Sequence, residues 1–356
     1  MSSRLVVDLS GGDQDPKERL KGVILAEKSL KRPLTLIGNI ADLKSSRLGK
    51  RLSRSTEWVQ ATDTIEMTDS IRSLRAKPNS AIMMGCKIAG ESYKAKNPSA
   101  FISAGHSGAM MAAALLQQGR LKHLERPAIV VTLPTILGRR VVLLDAGANT
   151  ECEPTHLEQF ALMGAQYAKF IRPKNYGPIR VGLLSNGEEP TKGNTLVKKT
   201  HALLDAQQFF QNSENNVVFM GNCEGKEMFR GEVDVVVTDG FTGNLVLKCA
   251  EGLETAIRDI IRIEATKRPL AIVGMFLASS VFKALKKHTD YRSVGAAPLL
   301  GVAGYTFIGH GRSDRHAILS ALKRADEALD LRFIEEMESV LLHSAHPPFQ
   351  TKESSS

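Results

Sequence analysis

Residues 233–252 read VDVVVTDGFTGNLVLKCAEG, and this stretch decides the fold class. Val233, Val235, Val236 and Val237 form a short, nearly continuous β-branched run, the pattern of a parallel strand covered on both faces. Asp239, Gly240, Phe241, Thr242, Gly243 and Asn244 break the strand, and from Leu245 apolar residues return at helical spacing. In open α/β sheets ligands sit at the carboxyl ends of strands, where backbone N–H groups at a helix N-terminus receive an anion. The turn is therefore a candidate phosphate cradle, and it reads equally well as an ordinary βα connection punctuated by glycine. It matches neither GxxxxGK[ST] nor GxGxxG, so it carries no Walker loop and no dinucleotide fingerprint.

The same unit recurs on both sides of this stretch. Leu5, Val6, Val7 and Asp8 form a strand that runs into Leu9, Ser10, Gly11, Gly12 and Asp13, with Asp15 and Pro16 as N-cap and first residue of a helix. Residues 34–38 make a strand, and residues 69–76 and 80–93 read as helices. Phe101, Ile102 and Ser103 lead into Ala104, Gly105, His106, Ser107 and Gly108, and a helix rich in alanine and methionine follows. Residues 128–133 and 141–144 read as adjacent strands, and Pro154 opens a helix to about Arg172. A strand at 179–184 precedes the turn 185–194 and another helix. A strand at 217–220 precedes a turn at 221–225. Residues 295–301 read as a loop before a strand ending near Ile308, and one acidic amphipathic helix runs to about Leu342. Strands alternating with helices predict an α/β protein: three-layer α/β/α, Rossmann-like, with a mostly parallel sheet. No repeat or linker divides the chain, so residues 1–344 read as a single domain with two lobes about a cleft, and 345–356 as a disordered tail.

A chain of 356 residues with 42% hydrophobic content can bury a large core without disulfides or metal. The four cysteines, Cys86, Cys152, Cys223 and Cys249, form no CxxC and no Cys/His cluster, which suits free thiols in a reducing cytoplasm. The first strand is expected to begin too close to Met1 to leave room for a signal peptide, and the strongly apolar uncharged run 269–282 is 14 residues, too short to cross a bilayer. The net charge of +9 is uneven: residues 17–54 carry 11 basic and 3 acidic residues, and residues 258–292 carry 8 and 3. Such patches suit an acidic protein, an anionic membrane face or nucleic acid, and also read as simple solvated faces. Nucleic acid is the poorest fit, because only 5% of residues are aromatic and no binding motif is present. Residues 270–285, beginning at Leu270 and ending at Leu285, are apolar around much of a helix and flanked by Lys267, Arg268, Lys283, Lys286 and Lys287. That segment fits a membrane surface or a subunit interface equally well.

In order along the chain stand VVDLSGGD (6–13), FISAGHSGAMMA (101–112), LLDAGAN (143–149), HLEQFALMGAQYA (156–168), LLSNGEEPTKGN (183–194), GNCEGKEMF (221–229), DVVVTDGFTGNLVLK (234–248), GAAPLLGV (295–302) and GHGRSD (309–314). Together they resemble the PlsX-type phosphate acyltransferase family, which makes acyl phosphate from acyl-acyl carrier protein and inorganic phosphate. Departures are Leu9 and Ser10 in place of Ala-Met in the family's DAMGGD, Gln14, His106-Ser107 in place of Asn-Thr, Ala296 in place of a glycine and Arg312 in place of a serine. The resemblance implies an architecture shared with isopropylmalate dehydrogenase and phosphotransacetylase, and an early step of phospholipid synthesis without a cofactor. It also implies a cytoplasmic homodimer, with the basic face docking acyl carrier protein, working at the inner membrane face near a membrane glycerol-phosphate acyltransferase. Rival readings are a short-chain phosphotransacetylase using acyl-coenzyme A and a catalytically weakened scaffold that binds acyl carrier protein. A dehydrogenase would add nicotinamide and divalent-metal signals that the sequence lacks.

Phosphate attack on a thioester requires no protein nucleophile, because phosphate is largely dianionic near neutrality and a thiolate is a tolerable leaving group. The protein must hold the anion and stabilise the developing oxyanion. Lys192, at the mouth of a helix, is the leading charge partner, against a plain role as a solvated helix-end lysine. Asn194, Asn186 and Asn244 are candidate donors, against Asx-turn capping. Gly11, Gly12, Asp13, Gly105, Ser107, Gly108, Gly193, Asp239, Gly240 and Gly243 are placed around the substrate. Asp8, Asp13, Asp145 and Asp239 are too scattered to bind metal and read as anchors of the glycine loops. His310, beside Arg312, and less so His106, can protonate the departing thiolate or bind phosphate, against ordinary loop roles.

Overall fold

The computed structural model describes residues 3–66, 69, 72–172, 176–281, 284 and 295–344. Among them the strands are β1 (Leu5–Asp8), β2 (Leu34–Gly38), β3 (Glu57–Gln60), β4 (Ala100–Ser103), β5 (Ala128–Ile129), β6 (Val131–Pro134), β7 (Arg140–Leu144), β8 (Ile179–Leu184), β9 (Val217–Cys223), β10 (Val235–Val237), β11 (Ala296–Leu300) and β12 (Tyr305–Gly309). They form two sheets. The first has the order β3-β2-β1-β4-β12-β11-β5 and is parallel from β3 to β12, with β11 antiparallel to both of its neighbours. The second, β6-β7-β10-β8-β9, is parallel except for β6.

Successive side chains of a strand face opposite sides of its sheet, and the burial follows that alternation. Val7 packs with Leu20 and Val23 of helix Pro16–Glu27 and with Ile318 and Leu322 of helix Arg315–Asp330, whereas Val6 joins Ile82 and Cys86 of helix Ala81–Lys94 and Met110 of helix Ser107–Gln117. The valine run behaves likewise. Val235 and Val237 cluster with Leu157 and Phe160 of helix Pro154–Ile171, and Val236 with Val246 and Leu247 of helix Gly240–Thr266. Helices thus cover both faces, which is the expected three-layer α/β/α architecture. One apolar cluster extends from Leu5 and Val7 of the first sheet to Val142 and Val235 of the second.

Several boundaries differ from the sequence reading. Residues 128–133 are not one strand: the chain passes from one sheet to the other at Val130, and an unbroken apolar run gives no sign of that change of partner. The expected loop at 295–301 is β11, bracketed by Gly295 (φ 77°) and Gly301 (φ 89°), with Pro298 opposite Phe307. The C-terminal helix is two, Arg315–Asp330 and Phe333–Ser344, separated at Arg332 with φ 47°. Of the helix expected at 69–76, Ser73–Ala76 is seen, and residues 67, 68, 70 and 71 lie outside the described residues. Helix Pro269–Leu277 is separate from helix Gly240–Thr266, while residues 282, 283 and 285 of the apolar segment and the tail 345–356 lie outside the described residues. No described helix is long and apolar enough to cross a membrane.

The basic character of residues 17–54 is partly consumed internally. Arg19 is fully buried and donates to Leu9 O (2.8 Å) and Gln14 O (2.9 Å), and Arg32 pairs with Asp326 (2.6 Å) and Asp330 (3.0 Å). Asp234 plays the corresponding structural role in the second sheet, accepting from Arg180 (2.6 Å) on β8 and from Arg172 (2.5 Å) beyond helix Pro154–Ile171. Burial pushes its carboxyl up, but the bonds from Arg180 and Arg172 outweigh burial and hold it below the ordinary 3.8. A carboxyl depressed by folding contributes stability above its unfolded value and loses it as pH falls through its folded value. The unaltered chain should therefore lose stability below about pH 4. Asp234→Asn should start about 1.5–3 kcal/mol less stable at neutral pH and lose less on acidification, as measured by denaturant unfolding at pH 7 and pH 3.

Candidate active site

Three loops meet at the carboxyl ends of the neighbouring strands β1, β4 and β12. The chain leaves β1 for β2 on one side and returns to β4 on the other, so β1 and β4 flank the switch point where α/β sheets open a crevice. Asp8 ends β1 with a buried carboxylate. Its Oδ1 accepts from the N–H of Ser10 (2.7 Å) and Gly11 (3.0 Å), and its Oδ2 from the Ser103 hydroxyl (2.7 Å), whose oxygen accepts from Gly105 N–H (3.0 Å). Asp13 N–H donates to Gly311 O (2.8 Å). A Cβ at Gly11 would stand 2.5 Å from Asp8 Oδ2, and one at Gly12 (φ +98°) 2.9 Å from Ala104 O, so these glycines let the loops touch. His106 caps helix Ser107–Gln117 through Nδ1, which accepts from Ala109 N–H (3.0 Å), so Ser107 and Gly108 form its first turn. His310 Nδ1 accepts from Arg312 N–H (3.1 Å), which puts the proton of the neutral ring on Nε2.

A second group gathers at the carboxyl ends of the adjacent strands β7, β10 and β8. Asp145, 0% exposed, accepts at Oδ1 from the N–H of Ile129 (3.0 Å), Gly147 (3.3 Å) and Ala148 (3.1 Å) and at Oδ2 from Asn149 N–H (2.7 Å) and Nδ2 (2.9 Å). Gly240 N–H donates to Asn149 O (2.7 Å). A Cβ at Gly240 would lie 2.6 Å from that oxygen and one at Gly243 2.0 Å from Asp145 O, so helix Gly240–Thr266 starts pressed against the Asp145 loop. Asp239 is its N-cap, accepting from Thr242 N–H (2.9 Å), and Asn244 lies beside Gly147. After β8, Asn186 Oδ1 accepts from Gly193 N–H (2.9 Å), and Asn194 Oδ1 caps helix Thr195–Ala206 by accepting from Val197 N–H (2.9 Å). Exposed Lys192 has its stem over Gly187, where a Cβ would meet Lys192 Cγ at 2.7 Å.

Residues 3–336 match the family described as "Fatty acid synthesis protein". The chain belongs to that family. A phosphate acyltransferase of Helicobacter pylori strain J99 is 41% identical over 342 residues, 95% of this chain and 96% of the relative. A phosphate acyltransferase of Gloeobacter violaceus is 39% identical over 340 residues, 95% of this chain and 97% of the relative. The resemblance carried by the nine quoted segments is thereby borne out. In three dimensions the fatty acid synthesis protein fold is similar to a phosphotransacetylase from Staphylococcus aureus, with TM-score 0.59 and 14% identity over 92% of this chain and 94% of that one. A branched-chain phosphotransacylase from Enterococcus faecalis V583 gives 0.55 and 13% over 92% and 99%.

The predicted residues of this family member therefore fall in two groups. Gly11, Gly12, Asp13, Gly105, Ser107, Gly108 and His310 cluster on the first sheet, while Asn186, Lys192, Gly193, Asn194, Asp239, Gly240, Gly243 and Asn244 cluster on the second. The hydrogen bonds described above run within each group, and Ile129 of β5 links the sheets: its N–H donates to Asp145 and its carbonyl accepts from Ala146 N–H (2.9 Å). The asparagines at 186 and 194 use their carbonyl oxygens as loop caps, the plainer of the two sequence readings. Asn149 and Asn222 were not singled out; an asparagine behind an Asp-x-Gly-x spacing was the available signal for the first. Cys152 sits in the second group, its Sγ 3.5 Å from Asn149 O, and burial followed by the Asp145 carboxylate pushes its thiol up to about 11. The thiol stays protonated near neutrality and cannot act as a ready nucleophile. Iodoacetamide at pH 7.5 should label exposed Cys249 well before Cys152, Cys86 or Cys223, as read by peptide mass spectrometry; early labelling of Cys152 would contradict this account of its surroundings.

Proposed function

We propose that this chain transfers an acyl group from acyl-acyl carrier protein to inorganic phosphate, an early step of phospholipid synthesis. Full-length kinship at about 40% identity to proteins named phosphate acyltransferase carries the reading. The site chemistry agrees with it. Glycine loops and helix N-termini at the strand ends suit an anion, and Cys152, with its thiol held at about 11, is not needed for attack. A hydrogen phosphate oxygen forms the new bond to the carbonyl carbon, the carbon–sulfur bond breaks, and the proton of the phosphate ends on the released sulfur. Lys192 balances the phosphate or oxyanion charge, with the Nδ2 groups of Asn186, Asn194 and Asn244 as neutral donors. His310, with its ring proton on Nε2, donates a hydrogen bond to the departing sulfur, the two loop groups forming facing walls of one cleft. The shared apolar cluster supports treating 1–344 as one catalytic unit.

Acyl carrier protein fits the remaining basic surface, at Lys17, Lys28, Lys44, Arg47 and Lys50, as an acidic partner. Helix Gly240–Thr266 buries only Gly240 and Gly243, and beyond the body it exposes Leu253, Ile257, Ile260 and Ile261 at helical spacing, which supports pairing with a second copy. Leu270 (87% exposed), Phe276 and Leu277 support contact of the 270–285 segment with the cytoplasmic membrane face, where the acyl phosphate would be consumed by a glycerol-phosphate acyltransferase. Because the fold is shared with phosphotransacetylases, acyl-coenzyme A is the rival donor.

Purified protein mixed with long-chain acyl carrier protein and phosphate should yield a hydroxamate on hydroxylamine trapping, together with free carrier thiol, and give far less product from short-chain acyl-coenzyme A. Carrier binding without phosphate-dependent product would favour the scaffold reading instead. Lys192→Ala should lower kcat/KM by about 10²-fold or more with an unchanged melting temperature, and near-normal rates would remove Lys192 from the chemistry.

A further inference from the structure

The Lys192 loop is fastened to the sheet from below, by a residue of β9. Strands β8 and β9 pair in parallel, but between Val181↔Phe219 and Leu183↔Asn222 the second strand carries one extra residue. Gly221, at φ +86°, lies in that bulge. A slip of one residue exchanges the faces of a strand, so the bulge turns the Asn222 side chain to the side it would otherwise avoid. There Asn222, 6% exposed, donates from Nδ2 to the carbonyl of Glu189 (2.8 Å), three residues before Lys192. Its Oδ1 has no hydrogen-bond partner among the described residues. A buried amide with one bare end is a poor choice for packing alone, since the unpaired oxygen has lost its water. The bond to Glu189 is what this side chain adds.

The other attachments of the loop are weaker or local. Asn186 closes it on itself through Gly193, and Ser185 N–H continues the strand pairing to Cys223 O (2.9 Å). Lys226 lies among Glu188 (3.0 Å), Glu224 (3.3 Å) and Glu227 (3.3 Å). Its ammonium joins these carboxylates in an ion-pair network, and the exposed Lys226–Glu188 pair adds little hold on the loop. We propose that Asn222, aimed by the Gly221 bulge, is the positioning residue of the Lys192 loop: it fixes the backbone at Glu189 so that the lysine ammonium is held at the site. The proposal rests on the assignment of Lys192 to the acyl transfer.

Asn222→Ala should lower kcat/KM in the acyl phosphate assay by up to about 10²-fold, the scale of a misplaced catalytic group. The double variant Asn222→Ala/Lys192→Ala should be no slower than Lys192→Ala alone, because Asn222 acts through the lysine. Asn222→Asp, which keeps the volume, should be equally slow at pH 8 and recover relative to the unaltered enzyme as pH falls toward 5, because burial against the Glu189 carbonyl pushes the new carboxyl up and its protonated form can again donate to Glu189 O; the alanine ratio should stay flat. A normal rate in Asn222→Ala where Lys192→Ala is impaired, a multiplicative loss in the double variant, or no pH recovery in Asn222→Asp would each overturn the proposal. If Lys192→Ala is itself active, the lysine assignment fails separately, and hydrogen exchange decides whether the anchor exists. Faster exchange of the Lys192 and Gly193 amides in Asn222→Ala upholds it, and unchanged exchange refutes it.

Discussion

Each group of glycine loops hangs on a buried aspartate. Asp8 ends β1 and Asp145 follows β7, and neither carboxylate is exposed enough to meet a ligand freely. Each satisfies its lone pairs with backbone N–H groups of the loop that follows and with a group from a neighbouring element: the Ser103 hydroxyl for Asp8, Ile129 N–H for Asp145. Removing such a carboxylate would leave several buried donors without acceptors, at about 1–3 kcal/mol each. The loops can therefore present polar backbone to a ligand only because a charge beneath them has already fixed their shape. Burial outweighs the bonds from Ala148, Ile129 and Asn149 and leaves the Asp145 carboxyl above its ordinary value, so the bonds that shape that loop are made against the cost of burying the carboxylate.

Much of this was legible in the sequence because the strands are short and wholly apolar. Val235, Val236 and Val237 can only be a strand buried on both faces, and Asp15–Pro16 and Asp239–Gly240 are helix starts whose side-chain chemistry is local. Asp8, Asp145 and Asp239 were correctly read as anchors for the same reason, since an Asx turn depends on residues two to four positions away. What stayed hidden depends on partners distant in sequence. Nothing within residues 128–133 says that Ile129 belongs to one sheet and Val131 to another. A Gly-Asn-Cys sequence after Met220 looks like a turn, and only the register with β8 makes it a bulged strand. The division of the site into two groups was illegible for a related reason: each glycine loop announces its own turn, while its neighbours are set by strand order.

The charge distribution shows the same limit. A count of basic residues at 17–54 treats every cation alike, yet Arg19 is inside the fold holding the Leu9–Gln14 loop, and Arg32 joins the first sheet to helix Arg315–Asp330. The surface available to an acidic partner is smaller and differently shaped than the sequence suggests, while the buried arginines do structural work that lysine, a point donor, could not match.

Helix Gly240–Thr266 has 27 residues, a rod of about 40 Å, and it is gripped in its first two turns, where Gly240 and Gly243 lie against Asn149 and Asp145 and Val246 and Leu247 pack on the cluster that holds Val236. A stiff rod clamped at one end transmits angle along its whole length. Whatever touches its distant apolar end therefore also bears on the tilt of the turn at Asp239 and Gly240, so the candidate site and the far end of the helix form one mechanical object.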